Sequence, residues 1–268
     1  MSTKNHLPCE MHPFHKVFEK LSYYKHDAGE VLDTFLEWVM WGFCPDGSLD
    51  WNSGNRFDEN ERQVFPELFQ QWALLMNTRV TGDKAWFDMF GIYYENYVAG
   101  KSRRDCKGQF FTPEHICDLM VLLQGTEGQT GRTVSDPCCG SGRFLLSFHA
   151  NNPGNYLIAE DIDRSCCLMT VCNFIMHGAV GEVIHHDSLK PDSWFNGWIV
   201  NEHLNNPFHR LHGVPHVRKL DKEDSLVINV WKRRAEEVAQ QRMMSVIPEA
   251  EIIPQNHPKP QYQQLQIF

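Results

Sequence analysis

The sequence predicts an α/β protein: a helical N-terminal domain followed by a parallel, Rossmann-like sheet that stops after its fourth strand. Three observations predict it. Apolar residues up to about residue 105 recur at helical spacing. Beyond Val134, short apolar runs end in acids and alternate with helix-length stretches. Between these regimes, residues 134–144 read VSDPCCGSGRF, a strand that closes and a helix that opens around two glycines. Gly140 and Gly142 make a turn tight enough for backbone to approach a nucleotide-like ligand, with Asp136 at the strand's carboxyl edge.

Composition bounds the alternatives. The chain has 268 residues, 42% of them hydrophobic and 12% aromatic, which suits a globular protein with one large or two smaller cores. The net charge of -9 argues against nonspecific coating of nucleic acid. No apolar run reaches the length of a membrane span and the polar start has no secretory signal, so a cytoplasmic protein is expected. The nine cysteines fall singly or as adjacent pairs, never in a zinc-type knuckle, and are read as reduced, mostly buried thiols with no metal.

In the helical part, Asp27 caps a helix whose apolar positions run Val31, Leu32, Phe35, Leu36, Val39, Met40 and Phe43, ended by Pro45 and Gly47. A second helix carries Phe65, Leu68, Trp72, Leu75 and Met76, and a third carries Phe87, Met89, Phe90 and Tyr93. These aromatics are core. The domain ends near residue 105; a cofactor-binding domain is expected over 106–222, a helix over 223–252, and a tail over 253–268.

At Gly108 the character changes. Residues 108–113 read GQFFTP, with Thr112 as cap and Pro113 at the first position of a helix holding Ile116, Leu119, Met120 and Leu123. A helix N-terminus suits an anionic group. After the glycine turn, residues 155–163 form a second strand ending in Glu160 and Asp161. Residues 182–189 form a third ending at Asp187, whose His185 and His186 point to opposite faces and are read as structural. A fourth unit, 198–208, ends in Asn205, Asn206, Pro207 and Phe208.

Taken together these motifs resemble the N6-adenine DNA methyltransferases, over roughly residues 88–208. Residues 108–113 are similar to their Gly-Gln-Phe-Tyr-Thr-Pro signature and 136–144 to their first S-adenosylmethionine motif. Residues 88–95, DMFGIYYE, resemble the helix before the cofactor site in modification subunits of type I restriction systems. The resemblance implies transfer of a methyl group from S-adenosyl-L-methionine to N6 of adenine in DNA. It assigns cofactor contacts to Phe110, Thr112, Pro113, Asp136, Gly140, Gly142 and Phe144. It also assigns Asp161 to the ribose and Asp187 to the adenine amine.

In the same resemblance Asn205 accepts the target amine through its side chain, Asn206 through its carbonyl, with Pro207 beside them and Phe208 stacking on the extruded base. Asn206 stands where the family has a first proline, which removes a backbone restraint. The expectation is one cleft holding Asp136, Asp161 and Asn205. A catalytically impaired adaptor that keeps the fold is the alternative.

Beyond Phe208 no fifth strand is evident. His209, His212 and His216 fall in a loop with Arg210, Arg218 and Lys219, and Val227, Trp231, Ala235 and Val238 mark one amphipathic helix. A sheet ending at its fourth strand leaves an edge to be covered by a specificity subunit or a second copy. The final Gln264, Leu265, Gln266, Ile267 and Phe268 resemble the peptide by which bacterial polymerases and repair proteins dock on the sliding clamp. The alternative is a tail that packs back on its own domain.

Overall fold

The computed structural model describes residues 7–22, 25–82, 85–99, 111–190 and 192–245. Two compact units are present, Met1–Ile228 and Asn229–Phe268. The first holds a layer of helices and one mixed sheet, ordered β1-β2-β3-β4-β5.

The helical layer comprises α1 (His12–Ser22), α2 (Ala28–Gly42), the single turn α3 (Glu59–Arg62), α4 (Val64–Arg79) and α5 (Met89–Tyr93), which runs into a π turn at Tyr94–Val98. Asp27 caps α2 as expected, accepting from the amides of Gly29 and Glu30. The apolar stripes face inward: Phe35, Phe65, Trp72, Phe90 and Tyr93 are fully buried. Their rings meet edge to face or stacked, as in Phe57 on Phe65 at 5.3 Å and Phe14 on Tyr93 at 5.1 Å.

The sheet region follows as α6 (Glu114–Leu123), β1 (Thr133–Asp136), α7 (Arg143–Asn151), β2 (Tyr156–Asp161), α8 (Arg164–His177), β3 (Val180–His185), β4 (Asn196–Val200) and β5 (Val217–Lys219). Helix α9 (Leu226–Ser245) begins in the first unit and continues into the second. β1, β2 and β3 are parallel, joined by α7 and α8, as the alternation of apolar strands and helices required. Leu157, Ala159, Val183, Trp198 and Val200 point into the main core, where α8 also packs on α2. Arg164 and Ser165 at the start of α8 reach Glu37 and Asp33 of α2, which ties the two layers together.

Four expectations need correction. First, β4 is antiparallel to β3, with Gly181 opposite Val200 and His185 opposite Asn196. The described residues between β3 and β4 form no helix, and a connection that short returns a chain alongside its neighbour instead of crossing over to a parallel position. Second, a fifth strand exists and pairs with β4 from Val200↔Val217 to Trp198↔Lys219, so the fourth strand is not the open edge. Among the described residues the open edge of the parallel part is β1.

Third, Thr112 does not cap α6. Pro113 occupies the N-cap position, and the Thr112 carbonyl instead accepts from the Arg143 guanidinium at 3.3 Å. Fourth, the apolar set Ile116, Leu119, Met120 and Leu123 lies on the solvent side of α6. Cys117 and Val121 are the residues it buries.

Candidate functional site

The carboxyl ends of the three parallel strands gather most of the cofactor candidates. Asp161, the last residue of β2, accepts from the Gly140 amide with Oδ2 at 2.9 Å and from the Asp163 amide with Oδ1 at 2.8 Å. It therefore fastens the glycine turn of β1–α7 to the end of the neighbouring strand. Asp136 accepts from the Cys138 amide at 3.1 Å within the same turn. Burial raises the pKa of both carboxyls, and each is further influenced by a charged neighbour, Asp161 in the case of Asp136. Two half-buried acids flank the N-terminus of α7, where helix amides and dipole favour negative or hydrogen-bond-accepting groups on a ligand.

The two glycines are needed for backbone conformation and for packing. Gly140 has φ +56° and Gly142 φ +85°, both in the left-handed region. A Cβ on Gly140 would lie 2.8 Å from the Phe111 ring, and one on Gly142 would lie 3.0 Å from Thr170. Thr170 also donates its hydroxyl to the Gly140 carbonyl at 3.0 Å. The turn is thus held from above by Phe111 and from below by α8.

The placement of the other candidates is mixed. Phe110 lies outside the described residues. Thr112 and Pro113 are exposed at the start of α6, and Phe144 is half-buried against the core. Asp187 follows β3, accepts from the Leu189 amide and pairs with Lys190 at 2.9 Å, a contact that lowers its pKa.

Sequence reasoning missed a buried network behind the turn. Asp88 is fully buried and accepts from Arg143 Nε at 2.6 Å, Ser141 Oγ at 2.5 Å, Asn173 Nδ2 at 2.8 Å and the Gly91 amide at 2.9 Å. Arg143 also donates to Glu95 at 2.7 Å, and Glu95 in turn accepts from the Phe111 amide at 3.1 Å. The DMFGIYYE segment was the available signal, since Asp88, Gly91 and Glu95 recur at one-turn spacing on one helical face. A second missed group lies on the opposite sheet face. There the buried Glu160 accepts from Ser135 Oγ at 3.0 Å and pairs with His186 Nε2 at 2.8 Å.

The proposed base-binding residues are not in this group. Because β4 runs antiparallel, its end lies beside the start of β3, and Asn205, Asn206, Pro207 and Phe208 emerge at the amino ends of the parallel strands. Six-residue strands at about 3.3 Å per residue separate the two ends by roughly 17 Å. Methyl transfer needs reacting atoms about 3–3.5 Å apart. The expected single cleft for Asp136, Asp161 and Asn205 is therefore absent from this arrangement.

The loop that bears Asn205 is anchored where it stands. Asn201, at φ +58°, is buried and donates to the carbonyls of Phe174 and Ala179 while accepting from the His216 amide. Asn206 uses its carbonyl for the His209 amide and its side-chain oxygen for the Phe208 amide, and Phe208 is 97% exposed. A groove of about 330 Å³ beside the loop is lined by Asp46, Glu202, His203, His209, Arg210 and Arg218 among others. The Arg218 charge is already committed to Glu202 through two hydrogen bonds of 2.5 and 2.9 Å.

Comparisons with known proteins match this region. Residues 86–231, just over half of the chain, match the family model described as N-6 DNA Methylase. The chain is 28% identical over 204 residues to a type I restriction enzyme methylase subunit, MjaIX, of Methanocaldococcus jannaschii, covering 68% of this chain and 33% of that one. It is 30% identical over 137 residues to the type II restriction enzyme and methyltransferase RM.BcgI of Heyndrickxia coagulans, covering 45% and 21% respectively. The chain thus spans a third or less of the length of these relatives. No solved structure matches it.

Proposed function

Since this chain belongs to the N-6 DNA methylase family, we propose that it transfers a methyl group from S-adenosylmethionine to N6 of adenine in DNA, holding the donor at the carboxyl ends of β1, β2 and β3. The observation that carries this reading is the Asp161–Gly140 tie, which fixes the glycine turn and two half-buried carboxylates at a helix N-terminus. Asp161 and Asp187 would accept from the cofactor's hydroxyl and amine donors, with Asp136 supporting the turn. Thr112 and Pro113 would stand at its other end. The bound cofactor supplies an electrophilic methyl on a sulfonium; the chain's residues orient it and exclude water. DNA is the substrate in this reading and a specificity subunit its partner, by analogy with the type I relative. Docking of residues 264–268 on a sliding clamp is part of the same proposal and is tested by binding of that peptide to purified clamp.

One observation favours a second reading, a catalytically impaired adaptor: Asn205 and Phe208 stand at the opposite end of the sheet from the donor. Two measurements on the purified chain decide between them. Calorimetric titration with S-adenosylmethionine is expected to show binding that Asp161→Asn weakens on the order of 10- to 100-fold, because it replaces a charge-assisted acceptor. Labelled cofactor with adenine-containing duplex is expected to yield N6-methyladenine. Binding without product establishes the adaptor, and absence of binding removes both the donor site and the methylase reading.

A further inference from the structure

Arg143 is the first residue of α7, directly after Gly142, and its buried guanidinium places its nitrogens on three different segments. Nε donates to Asp88, the N-cap of α5, at 2.6 Å. Nη2 donates to Glu95 in the π turn at 2.7 Å, and Nη1 to the Thr112 carbonyl ahead of α6 at 3.3 Å. A planar fork holds several acceptors at fixed angles, which the single nitrogen of a lysine cannot do. One side chain thereby sets α5, the π turn and the backbone at Thr112 relative to the start of α7.

Glu95 closes the arrangement. Its Oε2 accepts from Arg143 while its Oε1 accepts from the Phe111 amide at 3.1 Å, so one carboxylate bridges the guanidinium and the backbone next to the glycine turn. The Phe111 ring is seated between neighbours: it fills the space a Cβ on Gly140 would need, the Arg143 guanidinium lies 5.3 Å from its centroid, and the Tyr94 ring lies at 5.9 Å. Asp88 faces the other way. It is fully buried and also holds Ser141, Asn173 and the Gly91 amide, so it anchors Arg143 to the core. Glu95 is 24% exposed, and its two partners lead to the turn.

We infer that Glu95 and Arg143 are positioning residues for the donor site. They hold Phe111 and Thr112 down on the glycine turn, so that affinity for the sulfonium donor depends on the helical layer that carries Glu95. The inference rests on the donor reading given above. Both residues act through the Phe111–Thr112 backbone and the first turn of α7, without contacting the donor.

Glu95→Gln in the full chain tests this. An amide side chain offers one acceptor oxygen where the carboxylate offers two, so whichever way it turns, its NH2 group faces either the Phe111 amide or Arg143. Calorimetric titration with S-adenosylmethionine is expected to show affinity lowered on the order of 10-fold. Asn201→Ala, at the amino end of the sheet, is expected to lower stability while leaving that affinity unchanged, which separates positioning from general weakening of the fold. Without ligand, hydrogen exchange in Glu95→Gln is expected to quicken in the peptides that hold Phe111 and Gly140 and to match wild type over α2 and α4. A wild-type chain that fails to bind the donor overturns the donor reading, and this inference with it. Wild-type binding with an unchanged affinity in Glu95→Gln, an equal loss in Asn201→Ala, or exchange that quickens evenly along the chain overturns the positioning role alone.

Discussion

The carboxyl and amino ends of the same sheet are built from similar materials and do different things. At the carboxyl end, carboxylates accept from backbone amides of a glycine turn, leaving half-buried acids whose pKa is raised by burial. At the amino end, the loop that carries Asn205 satisfies itself: Asn201 spans two carbonyls and an amide, and Asn206 closes its own turn. The first arrangement keeps two carboxyls half-buried beside a helix N-terminus; the second spends its polar groups on closing its own loop. The residues expected to cooperate in one reaction are divided between them, so the comparison decides which half of the reading rests on geometry.

The largest test is at the carboxyl end. Asp88→Ala strips the buried Arg143 guanidinium of one of its two carboxylate partners, leaves the Ser141 hydroxyl without its acceptor and leaves Asn173 only the Ser141 carbonyl. Stability is expected to fall by about 3–5 kcal/mol in urea titration. A loss below about 1 kcal/mol would mean that Glu95 alone carries Arg143.

Next comes pH at the amino end. His177, at the carboxyl end of α8, donates from Nδ1 to the Asn173 carbonyl and accepts from the Phe87 amide, so it folds as the neutral ring. Burial lowers its pKa from 6.5 to about 4. The unfolded chain therefore takes up the proton first, and stability falls as pH drops from 6.5 toward 4. The penalty approaches roughly 3 kcal/mol below that window. His177→Gln is expected to flatten the slope relative to wild type over this window, and an unchanged slope would assign it elsewhere.

Asn201→Ala is expected to cost about 2–3 kcal/mol, from lost hydrogen bonds and from placing a Cβ residue other than Asn at φ +58°, with Asn201→Gly milder. The smallest expected effect sharpens the contrast most. Asn205→Ala, an exposed change, is expected to stay within about 0.5 kcal/mol in stability. It should also leave the S-adenosylmethionine affinity unaltered, because the residue stands at the far end of the strands from the proposed donor site. A large loss of cofactor affinity would show that the two ends come together in solution.

Much of this protein was legible in order and spacing. Asp27 as a cap, the aromatic stripes of α2 and α4, and the strand–glycine turn–helix at 134–144 are local features whose residue types and periodicity specify them with few neighbours. Asp161 was identifiable as the acid that ends β2, although its tie to Gly140 was not. Asp88, Glu95 and Arg143 stood within quoted motifs, yet they act as a group because α5 and α7 meet in space, which spacing does not report.

α6 shows the limit from the other side. Ile116, Leu119, Met120 and Leu123 have the period of a buried stripe, yet only Cys117 and Val121 reach the core, because α7 meets α6 on their side alone. A period identifies a face and cannot say whether anything covers it.

The sequence by itself determined the helical layer, the three parallel strands and the acid-flanked glycine turn, since hydrophobic period and turn chemistry are properties of short stretches. Tertiary structure decided the direction of β4, and with it the end of the sheet at which Asn205 emerges. Strand direction depends on whether the connecting segment can cross the sheet, and the chain between β3 and β4 returns alongside β3 instead.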